Sequence, residues 1–235
     1  MSESQAQIEE SSGSSEASGG ALKGRVSGNR NATLIAVAVA LIAIVGLWLY
    51  RSSDFGDNPE ASLALSRIMP YVEAGDMQKA LNGDPTKKVR GEDVLGLAAI
   101  VDQYSSSHAG KTAALHAAIA SLSLKKTDDA KRYFEIAEGS SSSYVAAGAQ
   151  AGLASVKESE GDYVGAAELY EKAVVSSENS GAKDKYEYYA GMCYEKSGDK
   201  VKAQKMYENL LAEFEFSEFA GEAKAGLTRL GIVVE

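Results

Sequence analysis

Few residues in this 235-residue chain are of a type that does chemistry. The two histidines, His108 and His116, stand eight apart, a poor helical phase for a shared ligand, and the one cysteine, Cys193, is remote from both. A metal site needs such side chains clustered, so all three read as surface or packing residues. Ser107-His108 puts a hydroxyl beside an imidazole. Nucleophilic catalysis also needs an orienting third group and an oxyanion hole, and the pair reads as two neighbours in a polar loop. Gly110-Lys111-Thr112 imitates the end of a phosphate-binding loop, but the full motif needs glycine at position 105, which is Ser, and a preceding strand where the pattern is helical. Cys193 lies beside Met192 in an apolar helical stretch, the setting of a buried, inert thiol. No enzymatic activity, cofactor or metal is therefore expected.

Composition narrows the remaining classes. A single cysteine excludes an internal disulfide framework. A net charge of −9 and a pI near 4.9 argue against binding phosphate backbones. Residues 1–47 hold no aromatic side chain, whereas all twelve tyrosines fall between Tyr50 and Tyr207. Residues 1–31, with eight Ser and five Gly, bury too little apolar surface to offset the entropy of ordering and are expected to be a disordered tail.

Lys23, Arg25 and Arg30 precede Thr33 to Tyr50, a run without charge or proline. As a helix its 18 residues extend roughly 27 Å, close to the bilayer core of about 30 Å. Trp48 and Tyr50 end it with rings that favour the membrane interface. The run is longer than a signal-peptide core, and no small-residue cleavage site follows it before the bulky Leu47-Trp48-Leu49-Tyr50-Arg51. Residues 32–50 therefore predict one transmembrane helix, with 51–58 a linker. The cations on its N-terminal side predict a cytosolic N-terminus and an exported C-terminal domain, placing the chain in a bacterial inner membrane with residues 59–235 periplasmic.

From Asn58 onward the pattern is helical, with no strand signal. Asn58-Pro59 opens a helix that Pro70 should kink. Three times the chain repeats an alanine, an aromatic four residues on, and a small or apolar residue three further: Ala130/Phe134/Ala137, Ala166/Tyr170/Ala173 and Ala203/Tyr207/Leu210, at intervals of 36 and 37. Each triplet follows a turn containing Asp, at 126–129, 161–163 and 198–200. A degenerate fourth unit occupies 59–104, where a helix begun at Met77 breaks at Asn82-Gly83-Asp84-Pro85 and a fresh one is expected from Glu92 to Tyr104. Residues 217–230 predict a capping helix with Phe219, Ala223 and Leu227 on its apolar side.

This self-similarity resembles the tetratricopeptide repeat, a helix–turn–helix unit of about 34 residues that stacks into a solenoid. The likeness is closest at 147–180 and 184–217, weaker at 111–143, and departs from the family in that no proline closes a repeat. It implies an all-α fold of three to four repeats plus a capping helix behind a single membrane span. In such stacks the first helices line a concave face, which makes Leu115, Ile119, Tyr188, Met192 and Glu195 candidates for a protein-binding groove. Equally, Leu115 and Ile119 could be core and Tyr188 could pack on the next repeat. The corresponding positions lack the Lys, Arg and Asn set that clamps a peptide carboxylate. An apolar, aromatic groove suits an unfolded segment or an amphipathic helix.

The layout, with the segments 75–84 and 96–101, further resembles membrane-anchored tetratricopeptide proteins akin to the ancillary subunit of the SecYEG translocon. That resemblance implies protein partners in translocation or periplasmic chaperone hand-over, with no nucleic acid and no small-molecule substrate. A cell-envelope scaffold serving division, peptidoglycan or outer-membrane assembly would share the same features.

Overall fold

The computed structural model of the chain describes Leu41, residues 58–178 and residues 181–233. The expected tail lies outside these residues, as do the expected linker apart from Asn58 and the apolar run apart from Leu41. Among the described residues no helix is long and apolar enough to cross a membrane.

Among the described residues between 58 and 233 there are ten helices and one two-stranded sheet, which packs beside the first two helices. Helix α1 (Pro59–Glu73) starts where Asn58 Oδ1 accepts from the N–H groups of Glu60 and Ala61 at 3.0 and 3.1 Å, with Pro59 at the first helical position. Pro70 does not end it; the helix runs on to Glu73, and the Ala74 N–H bonds back to the Pro70 carbonyl. Helix α2 (Met77–Asn82) is capped by Asp76, which accepts from the Lys79 N–H at 3.2 Å.

The next segment departs from the sequence reading, which found no strand and expected a helix from Glu92. Strands β1 (Gly83–Val89) and β2 (Glu92–Leu95) form an antiparallel hairpin, and helix α3 (Leu97–Tyr104) begins only after Gly96. Its turn is Arg90-Gly91, both with positive φ, as the right-handed twist of a two-residue hairpin requires. Register slips between Asp84 and Lys88, where Pro85 has no N–H to offer the ladder. Two lysines, a proline and an arginine in the turn hide the hairpin from any alternation test. Gly83 and Gly96 let the two chains cross at its neck: a Cβ on Gly96 would lie 2.4 Å from backbone atoms of Leu81, Asn82 and Gly83.

Buried Asp84 ties the hairpin to the helices. It accepts from Tyr71 Oη at 2.7 Å, Thr86 Oγ1 at 2.6 Å and the Thr86 N–H at 3.0 Å, with Lys79 Nζ 3.6 Å away. These hydrogen bonds, that from Thr86 Oγ1 foremost, hold its carboxyl well below the usual range.

Three regular helical hairpins follow: α4 (His108–Ser123) with α5 (Thr127–Glu138), α6 (Ser143–Ser159) with α7 (Tyr163–Ser176), and α8 (Lys183–Ser197) with α9 (Lys200–Glu213). Helix α10 (Ala220–Arg229) closes the stack against α9 and α8. Asp162 and Asp199 cap the second helices of the last two pairs. In the first pair Lys125 takes the left-handed position that Gly161 and Gly198 take later, and Lys126 makes no cap bond. Its aspartates, Asp128 and Asp129, lie inside the first turn of α5, where their charge is favourable to the helix dipole.

All nine residues of the repeating triplet are buried, none more than 5% exposed. The rings pack where neighbouring helices are stripped of side chain. Phe134 lies against Gly152 of α6, and Tyr207 lies against both Gly191 of α8 and Gly226 of α10. The buried side chains form two clusters that meet around α6 and Leu169.

Candidate functional site

The first helices of the three pairs, α4, α6 and α8, line a groove of about 570 Å³. Helix α6 forms its middle with small residues on one face, Gly148, Ala151, Gly152 and Ser155. Their spacing repeats each helical turn, so the missing side chains open a trough rather than scattered dents. Phe134 and Tyr170, from the second helices, supply apolar surface behind it. One wall is aliphatic, from Leu115, Ile119 and Leu122 of α4; the other is Tyr186, Tyr189 and Lys185 of α8.

Ile119 and Tyr144 remain 43% and 69% exposed at the rim, apolar surface that no described residue covers. Burial pushes the phenols of Tyr170 and Tyr186 above their ordinary range, so both stay neutral hydrogen-bonding groups. The one carboxylate in the lining, Glu158, is held by Lys196 at 2.6 Å. Such a surface can desolvate bulky apolar side chains and hydrogen-bond a backbone through tyrosine hydroxyls.

The structure separates the five residues singled out from sequence. Leu115 and Ile119 both line the groove, the first buried and the second half-exposed. Tyr188 instead stacks on Phe219 at 5.3 Å and approaches Tyr207 at 6.3 Å, filling the joint with the cap. Met192 and Glu195 border a separate depression with Lys196 and Arg229. Glu195 accepts from Arg229 Nε at 2.7 Å, Arg229 Nη2 at 2.8 Å and Tyr207 Oη at 2.8 Å, a clasp joining α8, α9 and α10. Arg229 above all holds the Glu195 carboxyl below its usual range.

Tyr144, Tyr186, Tyr189 and the α6 glycines are among the groove residues that sequence reasoning missed. The signal was present in Gly148 and Gly152, four apart, and in Tyr186 and Tyr189, three apart. Counting from the second-helix alanines leaves one residue of slack between intervals of 36 and 37. One residue turns a helix by about 100°, enough to exchange Tyr189 for Tyr188.

The chemistry-bearing residues sit apart from this groove. Ser107 is not in a loop but caps α4, accepting from the Gly110 N–H at 3.1 Å, and His108 is the first residue of that helix. Cys193 is fully buried, which pushes its thiol up to about 11. Burial lowers the His116 imidazole, favouring its neutral form. Among the described residues no group of three or more His, Cys, Asp or Glu is placed to hold a metal ion.

A search of curated proteins finds no match to the chain. The sequence model of the tetratricopeptide repeat-like domain matches residues 26–225, most of its length. Stacked helical hairpins, a buried alanine–aromatic triplet in each second helix, and a groove along the first helices agree with that match, and the chain belongs to the tetratricopeptide repeat-like domain family.

Proposed function

We propose that this protein is a membrane-anchored scaffold that binds other proteins through its repeat domain on the periplasmic side of a bacterial inner membrane, where it assists translocation or passes exported chains to chaperones. The observation that carries the binding role is the uncovered groove across α4, α6 and α8, with its small-residue floor and tyrosine wall. An unfolded or amphipathic segment matches it, because such a segment offers bulky apolar side chains and, when extended, free backbone groups. The anchor and its direction are supported by the uncharged run 33–50 and by Lys23, Arg25 and Arg30 before it.

Photocross-linking in bacterial membranes tests this reading. A photoreactive residue at Tyr144 should capture a secretion component or a chaperone, and the same probe at exposed Val201, outside the groove, should not. Capture of division or peptidoglycan machinery alone would reassign the scaffold to envelope assembly. A reporter fused after Glu235 should be active in the periplasm, and activity confined to the cytoplasm would overturn the orientation.

A further inference from the structure

The turn between α9 and α10 presents an aromatic side chain to solvent. Its sequence, Glu213-Phe214-Glu215-Phe216-Ser217-Glu218-Phe219, alternates three phenylalanines with three glutamates. Phe214 and Phe219 are partly buried, whereas Phe216 is 94% exposed. The end of a repeat stack usually shows water a polar face, and a bare phenyl ring there is a departure.

The turn is held firmly on both sides of that ring. Before it, the Lys183 ammonium lies 5.9 Å from the Phe214 ring and also pairs with Glu213. After it, Ser217 Oγ donates to Asp184 Oδ2 at 2.5 Å and accepts from the Phe219 N–H at 3.1 Å. Phe219 then stacks on Tyr188. Apart from the bond between Ser217 and Phe219 these ties lead to α8, so Phe216 is carried outward on a fixed platform and little freedom remains to be lost when it is covered.

Charge around the ring has one sign. Residues 213–222 contain four glutamates and no lysine or arginine. Lys183 takes Glu213, while Glu215, Glu218 and Glu222 are exposed and make no ion pair among the described residues. None of these residues lines the groove.

We propose that this turn is a second docking point, independent of the groove and of any membrane anchor, for a basic protein segment: an apolar pocket receives Phe216 while lysines or arginines around it pair with Glu215, Glu218 and Glu222. A buried aromatic ringed by charge pairs is the arrangement in which one residue dominates an interface.

The full chain in non-ionic micelles is titrated with a fluorescent amphipathic helical peptide of lysine and leucine, and with its glutamate–leucine counterpart, against empty micelles. The lysine peptide should bind at least tenfold more tightly than the glutamate peptide, whose apolar face has only the groove to occupy. Phe216→Ser should weaken binding at least tenfold; circular dichroism checks that this exposed substitution leaves the helices intact. Glu215→Lys with Glu218→Lys should bring the lysine peptide down to the affinity of its counterpart and remove the salt dependence, while Val201→Ser, exposed and outside both surfaces, should change nothing. Unchanged binding by Phe216→Ser or equal binding of both peptides would each overturn the proposal. Concentration-dependent self-association without peptide, abolished by Phe216→Ser, would overturn it by giving the turn to a second copy of the chain.

Discussion

The two halves of the repeat stack solve one packing problem with different side chains. In the N-terminal cluster Ile68, Leu97, Ile100 and Val101 surround the helices, and the triplet ring is Phe134. In the C-terminal cluster the large buried rings include Tyr194 and Tyr207, whose hydroxyls donate to Glu171 Oε2 at 2.6 Å and Glu195 Oε2 at 2.8 Å. A phenol brings hydrophobic area and a polar tip that must find a partner when buried. The C-terminal half therefore depends on carboxylates at the edges of its core, and the N-terminal half depends more on shape, with Asp84 at its hairpin its buried carboxylate.

The sharpest break in this comparison comes from truncating the rings. Phe134→Ala and Tyr207→Ala should each cost about 3–5 kcal/mol in urea unfolding. Smaller changes should separate the halves. Tyr207→Phe should lose about 1 kcal/mol with its hydrogen bond, while Phe134→Tyr should cost about 1–3 kcal/mol by burying a hydroxyl without a partner.

Next in size is Gly96→Ala at the hairpin neck. Its Cβ would meet backbone, which cannot swing aside, so a loss of about 3 kcal/mol is expected, at the upper end for overpacking. Chemical denaturation measures it, and Gly221→Ala in α10, where the backbone is helical and a Cβ meets nothing within 4 Å, is the comparison.

A third test concerns Glu187, buried on α8 with Oε2 unpaired and facing Lys183, Asp184 and Glu213. Burial pushes its carboxyl up to about 7. The folded state then holds a proton that the unfolded chain releases near pH 4.5, so this group's contribution is full below pH 4.5 and lost as pH rises through about 7. The loss should be on the order of 1–3 kcal/mol. Glu187→Gln should raise the melting temperature at pH 8 and leave it nearly unchanged at pH 4.5.

The smallest effect belongs to Arg229, whose side chain is 55% exposed in its pair with Glu195. Arg229→Met should cost about 0.5–1 kcal/mol, and less in high salt. A double-mutant cycle with Tyr207→Phe would show whether the clasp acts as a unit.

Much of this architecture is legible in the sequence. The triplets at 130–137, 166–173 and 203–210 marked the second helices, because alanine where helices touch and an aromatic one turn on leave a periodic trace. Asp162 and Asp199 marked helix starts through their capping chemistry. The hairpin at 83–95 was not legible: its strands pair with each other and against α1 through a neck of two glycines, and such a long-range contact leaves no local period. Nor could local signals show that Asp84 would be buried under Tyr71.

Helix content, the number of hairpins and the identity of the buried rings follow from spacing along the chain, since period and capping are local properties. Tertiary packing decided which face of α8 turns toward the groove, that Glu195 serves as a clasp, and that Phe216 is left in water. Each of these depends on a rotation of about one residue or on a neighbour many turns away. Rotations of that size are set by how rings such as Tyr207 seat on glycines in adjacent helices, and that seating exists only once the helices have met.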